Sequence, residues 1–100
     1  MVIIAYKTLR EFSLLHPDAE LALEEWYDKT RMANWSNITD VRQTFGYADY
    51  VGNERVVFNV RGNTYRLIAA ISYKHRTVYI KFIGTHQDYD RIDAASIELS

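Results

Sequence analysis

The sequence predicts an α+β fold: an N-terminal strand and helices packed on one face of an antiparallel sheet. Two observations carry that prediction. Residues 17–32 place Ala19, Ala22, Leu23, Trp26 and Thr30 at i, i+3, i+4, i+7 spacing, the pattern of an amphipathic helix. Beyond residue 54 the pattern changes to period two through RVVFNVR, TYRLIAAISYK and TVYIKFIGT, which predicts three strands of a meander. Helices followed by a run of strands, with no repeat or linker, define one small domain over residues 1–100.

The elements follow in order. VIIAY (2–6) is apolar and β-branched, so it reads as a strand. Thr8-Leu-Arg-Glu11 matches a capping box and predicts a helix start at Thr8, with Phe12 and Leu15 facing the core. His16-Pro17 ends that helix, since the residue before proline avoids the α region. Pro17 suits the first turn of the next helix, with Asp18 and Glu20 near its positive end. Trp26 reads as core. Ser36 is a candidate cap for a third helix reaching Phe45, with Trp35, Ile38 and Val41 inward. GYADYVGNE (46–54) reads as loop, and 88–95 as one helical turn.

The absence of cysteine excludes disulfides and thiolate metal sites. His16, His75 and His86 show no ligand spacing, so neither a metal nor a cofactor is expected. No apolar run approaches the roughly 20 residues that span a bilayer, and MVIIAYK lacks the charged start of a signal peptide. The expectation is a cytoplasmic protein with no membrane partner.

The net charge of −1 conceals a polarised chain. Residues 55–86 contain Arg55, Arg61, Arg66, Lys74, Arg76 and Lys81 and no Asp or Glu, a net of +6. Residues 1–54 hold five basic and nine acidic residues, and 87–100 one basic and four acidic. Such asymmetry points to a localised anion-binding face.

Strand period tests where that face lies. With Gly62-Asn63 as a two-residue turn, Asn59 pairs with Arg66 and Val57 with Ile68. With His75-Arg76 as the second turn, Ser72 pairs with Tyr79, Ala70 with Lys81 and Arg66 with Thr85. One sheet face then carries Val56, Phe58, Val60, Tyr65, Leu67, Ala69, Ile71, Tyr73, Val78, Ile80 and Phe82, and must meet the helices. The other carries Asn59, Arg61, Thr64, Arg66, Ser72, Lys74, Tyr79, Lys81 and Thr85, with Val57, Ile68, Ala70 and Ile83 between them. A lone strand arginine is ordinarily just solvated. Four basic residues on one face with no acidic neighbour are unfavourable unless used. A phosphate backbone is the natural user, and Tyr79 is suited to stacking a base there.

The same residues carry a family resemblance. Residues 56–93, VVFNVRGNTYRLIAAISYKHRTVYIKFIGTHQDYDRID, resemble the HigB-type toxins of the RelE superfamily. The specific parts are Phe58-Asn59, Gly62-Asn63, Tyr65-Arg66-Leu67, Tyr73-Lys74, Phe82-Ile83-Gly84-Thr85-His86 and Tyr89-Asp90; Phe12 and Trp35 extend a weaker likeness. Thr64 departs from a common basic residue and Ser72 from a common Asn. The resemblance implies a RelE-like microbial RNase fold and an endoribonuclease acting on mRNA, usually in the ribosomal A site. It also implies an inhibitory HigA-like helix-turn-helix antitoxin, and contact with operator DNA only indirectly through that antitoxin.

Metal-free RNA cleavage requires removal of the 2′-hydroxyl proton, protonation of the leaving 5′-oxygen and stabilisation of charge at phosphorus. His86 is the acid/base candidate, imidazole being the side chain that titrates near neutral pH. Arg66 suits a phosphate clamp. Lys81 is expected to offset transition-state charge, and Tyr89 to stack a base or move a proton. Asn59, Arg61, Lys74 and Tyr79 are candidate RNA contacts; Asn63 is either another or a turn residue only. The competing reading is a non-catalytic RNA-binding module using the same face.

Overall fold

The computed structural model describes residues 1–99. Its elements run β1 (Val2–Ile4), α1 (Tyr6–Leu15), a 3-10 turn (Pro17–Ala19), α2 (Glu20–Met32), α3 (Ile38–Phe45), β2 (Asp49–Gly52), β3 (Arg55–Val60), β4 (Tyr65–Ser72), β5 (Thr77–Thr85) and α4 (His86–Tyr89). Five strands form one sheet in the order β1-β5-β4-β3-β2. β1 lies parallel to β5; every other pairing is antiparallel. The expected α+β architecture is present. The meander gains an edge strand on each side, because 46–54 contains β2 and β1 crosses to β5.

The main core lies between the helices and one sheet face. Leu9, Ala19, Leu23, Trp26, Trp35 and Val41 meet Val56, Phe58, Val60, Leu67, Ala69, Ile71, Val78 and Ile80. Phe58 takes the Trp26 and Phe45 rings edge-on, at centroid separations of 5.4 and 5.2 Å, the arrangement that aromatic quadrupoles favour. The buried Trp35 donates its indole N–H to Thr44 Oγ1 at 2.9 Å, so its polar atom is satisfied.

Several expectations at element ends are corrected. α1 starts at Tyr6 rather than Thr8: Ala5 turns into the left-handed region at φ 75°, and its carbonyl accepts from Thr8 N, so no capping box forms. Leu15 is exposed rather than core-facing. Asn37, not Ser36, caps α3, accepting from Asp40 N at 3.1 Å. The C-terminal helical turn is His86–Tyr89, earlier than 88–95, and Thr85 caps it by accepting from Asp88 N.

The β3–β4 register agrees with expectation: Asn59 opposes Arg66 and Val57 opposes Ile68. The β4–β5 register does not. The loop spans 73–76, so Ser72 opposes Thr77 and Ala70 opposes Tyr79. A bulge then falls between Ile68 and Ala69: Ala69 opposes Ile80 and Ile68 opposes Phe82, leaving Lys81 as the extra residue. Past it the faces of β5 exchange. Ile83 opposes Leu67 and joins the core, whereas Phe82 turns to the opposite face.

Candidate nucleic-acid interface

The sheet face away from the helices is not open along its length. Val57 and Ile68 on it are fully buried, although they lie outside the main core. The chain after α4 returns across this face. Arg55 Nη1 donates to the carbonyls of Ala94 and Ile97, and Arg55 Nη2 pairs with Glu98. Asn53 donates to Ala95 O at 3.0 Å. Lys81 Nζ lies 2.7 Å from the other Glu98 oxygen. Arg55 is thereby only 3% exposed. The expectation of a face without carboxylate is corrected: Glu98 of the C-terminal segment pairs with Arg55 and Lys81 on the basic strands. Lys81 is a paired charge and not a free one. It draws Glu98's pKa below the ordinary carboxylate value by hydrogen bonding; desolvation opposes this and Arg55 adds to it.

Arg61 also departs from its expected place. Arg61 and Gly62 both take positive φ (52° and 62°) in the β3–β4 turn, which closes around the expected Gly62-Asn63 pair with Thr64 N donating to Arg61 O at 3.2 Å. Arg61 turns toward the helices, where it lies 3.2 Å from Asp18. The same carboxylate accepts from Tyr65 Oη at 2.5 Å, and that bond raises the Tyr65 pKa, with burial and the charge of Asp18 adding to it. Asn63 is exposed on the loop. Lys74 and Tyr79 lie toward the opposite end of the sheet. From Arg66 to Ser72, just before Lys74, the strand climbs about 20 Å at ~3.3 Å per residue.

What remains together is a cluster where β3, β4 and α4 meet. Asn59 and Arg66 are cross-strand partners, and Arg66 Nη1 donates to Asn59 Oδ1. The Arg66 guanidinium lies 5.8 Å from the centroid of the Tyr89 ring, a cation–π contact. Among the described residues, no carboxylate lies within ion-pair distance of Arg66. Backbone hydrogen bonding fixes α4 beside the cluster, His86 N donating to Thr64 O at 3.3 Å. His86 Nδ1 lies 3.3 Å from Asp90 Oδ2, with the imidazole 44% exposed. Tyr89 has its pKa raised, first by burial and then by the charges of Asp49, Tyr47 and Asp90, with Arg66 opposing. Its hydroxyl therefore keeps its proton across the neutral range. Among the described residues no group of His, Asp and Glu has the arrangement of a metal site.

Sequence reasoning missed Phe82, Asp49, Tyr47 and Asp90 as neighbours of this cluster. Asp49 opposes Val57, which puts it on the same sheet face. Only recognition of β2 would have revealed it. Asp90 sits four residues after His86, a helical spacing visible in the sequence.

Comparison with known proteins agrees with this fold. Residues 19–92 match the HigB toxin family, described as the RelE-like toxic component of a toxin–antitoxin system. The chain is 29% identical over 94 residues to the mRNA interferase HigB of Escherichia coli O6:H1 (strain CFT073), covering 92% of this chain and 91% of that protein. The matched region takes in every member of the cluster, and the chain belongs to the HigB family of RelE-like toxins.

Proposed function

We infer that this toxin is an endoribonuclease that cuts mRNA during translation. The observation that carries the reading is Arg66: a half-buried guanidinium held by a neutral amide and an aromatic ring, with donors left for an anion. Such a group binds a phosphate diester and gains strength as negative charge builds on the pentacoordinate phosphorus.

The remaining roles complete that reading. The neighbouring 2′-oxygen attacks phosphorus and the bond to the 5′-oxygen breaks, leaving a 2′,3′-cyclic phosphate and a 5′-hydroxyl. His86, oriented by Asp90, takes the 2′-hydroxyl proton. Tyr89 stays protonated and supplies the proton for the leaving oxygen. Asn59 holds Arg66 in its fork orientation. Exposed Lys74 and Tyr79 serve as remote contacts to the RNA backbone or its ribosomal surroundings. The family implies an antitoxin partner, and a HigA-like helix-turn-helix protein fits it.

The test is to add purified protein to a defined translation system and map new mRNA 5′ ends and their chemistry. The reading expects 5′-hydroxyl ends on translated message and none once the antitoxin is added. Intact message with RNA merely bound would overturn it in favour of a binding module.

A further inference from the structure

One register break places an aromatic ring in the cluster. Without the bulge at Lys81, alternation would send Phe82 into the helix-side core. With it, Phe82 opposes Ile68 on the Arg66 side. Two residues on, Gly84 opposes Arg66. Gly84 is not required by its backbone, since its φ is not among the positive ones. It is required by space. A Cβ built there would stand 2.6 Å from Phe82 Cζ and 3.3 Å from Asp88 Cβ, so the Phe82 ring occupies the volume that a side chain would need. That ring's centroid lies 6.5 Å from Tyr89's at 54°, and Tyr89 in turn carries Arg66 over its face at 5.8 Å.

We propose that Gly84 and Phe82 form a positioning pair: Gly84 leaves the seat for the Phe82 ring, and Phe82 backs Tyr89 so that it meets Arg66. The pair rests on the reading of Arg66 and Tyr89 as the cleavage site and adds two residues that touch no RNA. Burial of the Tyr89 hydroxyl, the first cause of its raised pKa, provides an independent reporter.

The test combines a double-mutant cycle with a titration. Phe82→Leu and Gly84→Ala are each expected to lower kcat for cleavage of a translated mRNA by about 10-fold with KM little changed, the scale of a sub-ångström to ångström misplacement. The double variant is expected to be no worse than Phe82→Leu alone, because alanine at 84 harms only when the ring is present. The Tyr89 titration, read as the tyrosinate difference between each protein and its Tyr89→Phe partner, is expected to fall toward the ordinary tyrosine value in Phe82→Leu. Additive losses in the double variant, or an unmoved Tyr89 titration in Phe82→Leu, would overturn the pair. If the unaltered protein itself cleaves nothing, the cleavage reading fails, and the titration still decides whether Phe82 sets Tyr89.

Discussion

Arg55 and Arg66 stand on the same sheet face, on neighbouring strands, in a stretch of sequence without a single carboxylate. Their fates are opposite. Arg55 is covered: two carbonyls and Glu98 accept from its Nη1 and Nη2, and it ties the C-terminal segment to the sheet. Arg66 is left with a neutral amide and a ring. Residue type and strand position do not distinguish them; what the last residues of the chain cover does. A basic count on a sheet face is therefore an upper bound on the charge available to RNA.

The largest effect that sharpens this contrast belongs to the Arg66 end. His86→Ala is expected to cut the cleavage rate by about 100-fold, the ordinary scale of a general base, with the melting temperature nearly unchanged because the ring is half exposed. A folded variant cleaving at the normal rate would break the assignment.

Next comes the covered end. Arg55→Ala removes a buried side chain that joins the C-terminal segment to β3, at a cost of about 2 kcal/mol in denaturant unfolding. Cleavage per folded molecule should stay within about twofold, a modest change beside the His86 effect.

The third prediction concerns pH. Glu98's carboxyl is held below its unfolded value, so the clip contributes fully above the ordinary carboxylate range and is lost as pH falls through the folded value. Hydrogen-exchange protection at residues 94–98, taken relative to the intrinsic exchange rate at each pH, should fall in the native protein as pH drops below the ordinary carboxylate range. Glu98→Gln should exchange faster at neutral pH and lose the acid step; an unaltered pH profile would show that the pairing contributes nothing.

The smallest effects belong to the far end of the sheet. Lys74→Ala and Tyr79→Ala should change cleavage by no more than about threefold, chiefly as weaker binding at high salt.

Much of this was legible in the sequence, and the exceptions have physical causes. Period-two alternation located β3, β4 and β5 because one of their faces packs on helices. β2 was missed because Asp-Tyr-Val-Gly has no alternation and pairs through an irregularity. Nothing in TVYIKFIGT marks Lys81 as an extra residue, so Phe82 and Ile83 were assigned to each other's faces. Arg61 was misplaced because a left-handed φ at a non-glycine is rare and unsignalled. The Asn59–Arg66 pairing was legible because strand period sets the β3–β4 register, and His86 and Tyr89 were singled out by the family motif that ends in the turn after β5. The C-terminal cover is a contact between distant segments, and local pattern carries no trace of it.

The central claim is that Arg66 acts on RNA and Arg55 on the fold. Cleavage of translated mRNA per folded molecule, measured side by side for Arg66→Ala and Arg55→Ala, tests it most directly. The account predicts a loss of about 100-fold or more for Arg66→Ala and near-native cleavage at the same message positions for Arg55→Ala. Equal losses in the two, or native cleavage by folded Arg66→Ala, would contradict it.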